Sequence, residues 1–135
     1  QDGLDLSVCL FDQETNILTY SAAMRPLIIF SEGKWTYYKG NRHSIGFSKY
    51  HIQKVFTDTE IKLYKGDRFY LFTDGLPDQF SYNEQKLKVS GLIHWLEEMQ
   101  NIPMIIQQAE LQKRLLSWKE NQVQIDDILI IGIEV

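Results

Sequence analysis

Residues 68–75 of the chain read RFYLFTDG, an apolar run that ends in an acidic turn. Arg68–Phe72 is apolar on both faces, which predicts a strand that is covered on both sides. Farther along, Asp126-Asp127 stands directly before residues 128–135, and this almost wholly apolar, β-branched run predicts a central strand. One acidic motif therefore follows a predicted strand, and another precedes one.

If these two strands are antiparallel neighbours, Asp74 and Asp126 lie at the same rim of the sheet. Two carboxylates that close need a proton or a cation between them, and Mg²⁺ and Mn²⁺ prefer such oxygen ligands. Gly75 would let the backbone bend sharply beside them. Spacing alone leaves a second interpretation open, since Asp-Gly is a common turn and Asp-Asp before a strand is a common solvated loop.

The rest of the chain changes character after Phe80. The first half alternates short apolar runs with turn residues, which predicts hairpins, and the second half has helical spacing of apolar residues. Strands followed by helices and one last strand predict an α+β fold with helices on an outer face. The predicted strands are 4–10, Ile17–Ser21, Pro26–Phe30, Trp35–Tyr38 and an extended Val55–Tyr64, with a loop over 39–49; the helices are Leu87–Gln100, with Ser90 as N-cap, and Pro103–Trp118.

Composition narrows the class of protein. The 135 residues suit one domain, and the formal net charge of -4 without a basic stripe argues against nucleic-acid binding. No apolar run approaches the roughly 20 residues needed to span a bilayer, so direct membrane insertion is not expected. A single cysteine, Cys9, fits a reducing compartment, for which the cytoplasm is the default expectation.

Two motifs read together carry a family resemblance. Leu71–Phe80 and Gln124–Gly132 closely resemble the PPM family of metal-dependent protein phosphatases, in the bacterial branch named for the stage II sporulation phosphatase E. Further segments resemble the family in the same order along the chain: Asp2–Cys9, Tyr20–Leu27, Ser44-Ile45-Gly46, Lys65-Gly66-Asp67 and Leu115–Trp118. The resemblance therefore extends over nearly the whole chain.

The resemblance implies a partial PPM-type sandwich of antiparallel sheets flanked by helices, with Mn²⁺ or Mg²⁺ at one end. It implies hydrolysis of phosphoserine and phosphothreonine by a metal-activated water. Carried over residue by residue, Asp74 and Asp126 match ligands of one metal, with Gly75 beside them. Adjacent side chains of an extended chain point in opposite directions, so Asp127 would point away from a metal bound by Asp126 and could act only in the outer shell. Arg25 could contact a phosphate, although a surface arginine before Pro26 is the alternative.

One departure separates this chain from the family pattern. The family also has an upstream Asp-Gly whose aspartate bridges two metals, and nothing here matches it, since Asp2-Gly3 corresponds to a later strand opening. Residues 1–135 are thus expected to be the C-terminal portion of one PPM domain whose N-terminal strands and helices are absent. Such a piece would be inactive alone and would self-associate through uncovered edges.

The complete domain would then be the catalytic output of a bacterial signalling protein. Its partner would be a phosphoprotein, such as a partner-switching regulator, and the parent could be tethered to a membrane sensor. The missing bridging aspartate also motivates an alternative, a non-catalytic binding or sensory module that keeps the phosphatase sandwich without its chemistry.

Overall fold

A computed structural model describes residues 3–46 and 53–135. The described residues divide into two compact units: those up to residue 71 together with 134–135, and residues 72–133. Asp2 and the end of the predicted loop 39–49 lie outside the described residues. The elements in chain order are β1 (Leu6–Asp12), β2 (Ile17–Ala23), β3 (Leu27–Ser31), β4 (Lys34–Tyr38), β5 (Thr59–Lys62), β6 (Arg68–Phe72), α1 (Gly75–Asp78), α2 (Lys88–Glu98), α3 (Met104–Lys119) and β7 (Ile130–Glu134).

The predicted first hairpin is confirmed in the first unit. Strands β1 and β2 are antiparallel with Asp12 opposite Ile17, and β5 continues the sheet in the order β1-β2-β5. The Asp12 carboxylate accepts the backbone N–H of Glu14 at 2.8 Å inside the turn. Hydrogen bonds from Thr15 and Glu14 lower the pKa of Asp12. The turn is therefore stabilised by the acidic residue that the sequence places there.

The second sheet has the strand order β4-β3-β6-β7. Strands β3 and β4 form the second predicted hairpin through Glu32 and Gly33, whose φ angles of 51° and 73° suit a tight turn. Strand β6 pairs with β3, and its neighbouring residues Phe69 and Tyr70 are only 2% and 1% exposed. Burial of adjacent residues, which point to opposite faces, confirms that β6 is covered on both sides.

Both sheets contribute to the core of the first unit. Its buried members come from β2, β3 and β6 together with Leu63, and half-buried Cys9 packs against them. Burial raises the pKa of the Cys9 thiol to about 11, as expected of a small core residue. The opposite face of β1 is apolar and exposed; it carries Leu6, Val8 and Leu10, and exposed Leu4 precedes the strand.

Aromatic side chains pack within each unit. In the first unit the Trp35 ring lies 4.8 Å from that of Phe30 and 6.0 Å from that of Tyr70. In the second unit Trp95 of α2 and Trp118 of α3 meet edge to face, with centroids 6.1 Å apart and planes at 81°. All three tryptophans thus pack against other aromatic rings.

Both long helices lie close to their predicted bounds, but the cap of α2 was predicted wrongly. Helix α2 begins at Lys88, so Ser90 lies inside it, and the residue before the helix is Leu87, which makes no side-chain cap. Leu87 is buried, and its N–H donates to the carbonyl of Gln79 at 3.1 Å. Burial of this leucine, rather than a polar cap, therefore determines where α2 begins.

Two strand predictions also need correction. The extended stretch Val55–Tyr64 contains a strand only over Thr59–Lys62. The last strand begins at Ile130 instead of Ile128, and among the described strands it lies at the edge of its sheet, not at the centre. Ile131 and Ile133 are 44% and 39% exposed. A β-branched composition indicates a strand, but it does not say which neighbours that strand has.

No helix in the described part of the chain is both long and apolar enough to cross a membrane.

Candidate metal centre

Asp74 lies in the second unit, on a short connection between β6 and α1. Helix α1 begins at the next residue, and the Asp74 carbonyl accepts the N–H of Asp78 at 2.8 Å. Gly75, Leu76 and Pro77 are buried, whereas Asp74 itself is half-buried. The sequence did not predict this four-residue helix. A buried one-turn helix thus supports the position of the Asp74 carboxylate from one side.

Asp126 lies in a more open segment of the same unit. Residues 123–127 are all exposed. One Asp126 carboxylate oxygen accepts the N–H of Asp127 at 2.7 Å, and the Asp126 carbonyl accepts the side-chain amide of Gln124 at 2.9 Å. Local hydrogen bonds, with little burial, therefore position this carboxylate.

Thr73 joins the two acidic segments. Its hydroxyl donates to the carbonyl of Asp127 at 2.8 Å and accepts the N–H of Leu129 at 3.0 Å, while its own N–H donates to the carbonyl of Leu129 at 3.0 Å. The predicted convergence of the two motifs is therefore present at the backbone level. Thr73 was not singled out from the sequence, because nothing in a threonine after a strand says that its hydroxyl will bridge to a distant segment.

Gly75 brings the same two segments into contact. A Cβ atom at this position would lie 2.3 Å from the carbonyl oxygen of Asp127 and 2.8 Å from its carbonyl carbon. Gly75 is not among the residues with positive φ. The structural reason for glycine here is therefore the close approach of another backbone, rather than the bend expected from the sequence.

The donor set fits a hard divalent cation in part. Asp74 and Asp126 offer carboxylate oxygens from adjoining segments, and Mg²⁺ is commonly bound through one or two carboxylates while it keeps several waters. Within residues 3–46 and 53–135, no group of three or more His, Cys, Asp or Glu side chains could hold a metal ion. The described residues thus offer part of the ligand set that such an ion takes, and the outer-shell role of Asp127 stays a prediction.

Arg25 lies in the first unit, after Met24, whose φ of 65° is left-handed. One guanidinium nitrogen of Arg25 is 3.7 Å from a carboxylate oxygen of Asp5, and the Arg25 carbonyl accepts the hydroxyl of Tyr20 at 2.5 Å. An arginine near one carboxylate can exchange that partner for a phosphate. Its contact with a phosphate stays a prediction.

Comparison with known proteins gives one family and several solved structures. The family model described as Stage II sporulation protein E (SpoIIE) matches residues 3–135. The SiaA-PP2C domain of Pseudomonas aeruginosa has a TM-score of 0.87 and 24% identity, over 97% of this chain and 51% of that one. No curated protein sequence matches.

Two further structures contain metals in their own chains. RsbX in complex with magnesium has a TM-score of 0.62 and 19% identity, over 96% of this chain and 55% of that one. The catalytic domain of the serine/threonine protein phosphatase PstP, in complex with two manganese ions, has a TM-score of 0.57 and 18% identity, over 95% of this chain and 56% of that one. These likenesses confirm the predicted α+β fold, and the chain spans about half the length of the structures that it matches.

Proposed function

This chain belongs to the stage II sporulation protein E family of PPM-type phosphatases, and we propose that the complete domain hydrolyses phosphoserine and phosphothreonine in a protein substrate. One observation carries the proposal: Thr73 and Gly75 hold the segment with Asp74 against the segment with Asp126. Asp74 and Asp126 are the two residues that match metal ligands in the family pattern. If the two acidic segments were unrelated solvated turns, their backbones would not need to be in contact.

The metal in this proposal is Mn²⁺ or Mg²⁺, the ions named for PstP and RsbX. When bound, such ions lower the pKa of a coordinated water and so supply a nucleophile near neutral pH. Asp74 and Asp126 would hold one ion through their carboxylates. Gly75 would keep the two segments close, Asp127 would act from the outer shell, and Arg25 would contact the phosphate.

The wider role is also part of the proposal. Residues 1–135 would be the C-terminal portion of a single PPM domain, supported by a chain length about half that of the matching structures. The complete domain would be the cytoplasmic output of a bacterial signalling protein, with a phosphorylated regulator as its substrate. Residues 1–135 by themselves would have little activity, because they supply only part of the metal's ligand set.

The test is hydrolysis of a phosphoserine peptide by the complete domain in the presence of Mn²⁺. We expect Asp74→Asn and Asp126→Asn each to lower kcat/KM by about 100-fold or more, since an electrostatic contribution of roughly 3 kcal/mol is lost. Asp127→Asn should cost much less. Asp58→Asn, which alters an exposed aspartate of the first unit, is the control. Unchanged activity in either of the first two variants would refute the ligand assignment.

A non-catalytic module is the second candidate, because no residue of this sequence matches the bridging aspartate of the family pattern. The two functions give different results with the same complete domain. A non-catalytic module would bind the phosphopeptide without releasing phosphate. Added Mn²⁺ would change neither the binding nor the absence of phosphate release.

A further inference from the structure

We propose that Gln79 is a positioning residue that holds the segment carrying Asp126 in register with the segment carrying Asp74. The inference rests on the proposed function, because it concerns the geometry of the same candidate site. Gln79 follows α1, is completely buried, and matches none of the residues that the sequence marked for chemistry.

The side chain of Gln79 reaches across the second unit. Its amide nitrogen Nε2 donates to the carbonyl of Val123 at 3.1 Å and to the carbonyl of Phe80 at 3.2 Å. Only the NH₂ end of the amide can serve two carbonyl oxygens, so these partners fix its orientation. The amide oxygen is buried and has no hydrogen-bond partner among the described residues. A buried amide in this position is explained by the two carbonyls that it holds.

The backbone of Gln79 adds three more connections. Its carbonyl accepts the indole N–H of Trp118 at 3.1 Å and the N–H of Leu87 at 3.1 Å, and its own N–H donates to the carbonyl of Leu76 at 3.1 Å. Gln79 therefore links α1, the start of α2, the end of α3 and the segment that follows α3.

The segment that Gln79 contacts has little packing of its own. Val123 is 77% exposed and Ile125 is 56% exposed, so apolar burial does not fix this stretch. Gln79 binds it at Val123, and Thr73 binds it at Asp127 and Leu129. Asp126 lies between these two attachments. Removing one attachment should therefore release the Asp126 carboxylate while Asp74 stays on its buried support.

Gln107 provides a matched control in the same unit. It is 3% exposed, and its amide nitrogen donates to the carbonyls of Met99 and Ile102 at 3.1 and 3.2 Å. Both glutamines are thus buried and use Nε2 on two backbone carbonyls. Those of Gln107 lie in the connection between α2 and α3, whereas one carbonyl bound by Gln79 belongs to the segment of Asp126.

The first measurement is native-state amide hydrogen exchange in Gln79→Met and Gln107→Met. Methionine keeps the volume of the side chain and removes its donor. In Gln79→Met we expect the amides of Asp127 and Leu129 to exchange about tenfold faster, the effect of losing one net hydrogen bond. Gln107→Met should instead accelerate Ile102 and leave Asp127 and Leu129 within about twofold. Equal exchange of Leu129 in the two variants would overturn the proposal.

If Gln79→Met does not fold, Gln79→Asn and Gln107→Asn replace the pair. Asparagine keeps the amide, but it is one methylene too short to reach the same carbonyls. The amides of Asp127 and Leu129 should again exchange faster in Gln79→Asn, and that of Ile102 in Gln107→Asn. Equal exchange of Leu129 in the two asparagine variants would count against a positioning role.

The second measurement is Mn²⁺ affinity, followed by paramagnetic broadening of amide signals near Asp74 and Asp126. Gln79→Met should weaken Mn²⁺ binding about tenfold, and Gln107→Met should not, because only the first releases a proposed ligand. Wild-type affinity in Gln79→Met would overturn the positioning role. If the wild-type chain and Asp74→Asn respond identically to Mn²⁺, the proposed metal site fails, while hydrogen exchange still decides whether Gln79 orders the segment.

Discussion

The two acidic segments of the second unit are ordered in different ways. Asp74 is followed by three buried residues, so its position is fixed by packing, whereas Asp126 lies in a run of five exposed residues and is fixed by a few hydrogen bonds. Packing is distributed over many contacts, and single polar bonds are not. The two sides of the candidate site should therefore differ in their tolerance to substitution.

This difference suggests a division of roles at the site. The segment with Asp74 would act as the rigid reference, and the segment with Asp126 would be adjusted against it through Thr73 and Gln79. A carboxylate held by a few bonds can shift when a cation or substrate arrives, while its rigid partner keeps the geometry of the site.

The largest expected effect comes from truncating the packed side. Leu76 is 2% exposed, so Leu76→Ala should lower the free energy of unfolding by about 3 kcal/mol through lost burial and a residual cavity. Ile125→Ala on the open side should cost less than about 0.5 kcal/mol. Urea denaturation of both variants measures the contrast, and similar losses would show that the two segments are packed alike.

Adding a methyl group at the contact between the segments should have a smaller effect. Gly75→Ala places a Cβ against the Asp127 carbonyl, and we expect a loss of about 2 kcal/mol from overpacking. Gly33→Ala is the control, because its added Cβ meets nothing within 4 Å and its cost of about 1 kcal/mol comes from its φ of 73° alone. The Gly75 variant should also exchange faster at Leu129, which Gly33→Ala should not.

The smallest of the three effects concerns the threonine bridge. Thr73→Val keeps the shape and removes a hydroxyl that makes two hydrogen bonds, so we expect a loss of about 1 kcal/mol. Thr36→Val on exposed β4 should be close to neutral. Calorimetric unfolding of both variants checks the difference. A neutral Thr73→Val would mean that the hydroxyl contributes nothing to holding the two acidic segments together.

Hairpins and helices could be predicted from the sequence because their signals are local. Residues 12–16 combine turn-forming side chains with flanking alternation, and the helical spacing of Leu92, Leu96 and Met99 gives α2 and the residue after it a common buried face. The position of β7 could not be predicted in the same way. Its apolar residues describe a strand, but the number of its neighbours depends on pairings between distant segments.

In the candidate site, too, the residues with local signals could be predicted and those that depend on distant partners could not. Asp74 and Asp126 were found because each borders a strand and matches a family pattern, and their assignment as ligands remains a prediction. Thr73 and Gln79 were missed because a hydroxyl or an amide acquires its role from a partner 54 residues away in one case and 44 in the other. No local pattern encodes such a partner, so these residues become visible only in three dimensions.

The edge-to-face pair of Trp95 and Trp118 has a spectroscopic consequence. Two indoles at 6.1 Å and 81° are close enough for their excited states to couple, which should give a near-ultraviolet signal that depends on the geometry of α2 and α3. Trp118 also donates its indole N–H to the Gln79 carbonyl, so the emission of this ring should respond to changes beside the acidic segments. Because Trp35 belongs to the first unit, replacing it with phenylalanine would leave a chain whose tryptophan fluorescence arises only from the unit that carries Asp74 and Asp126.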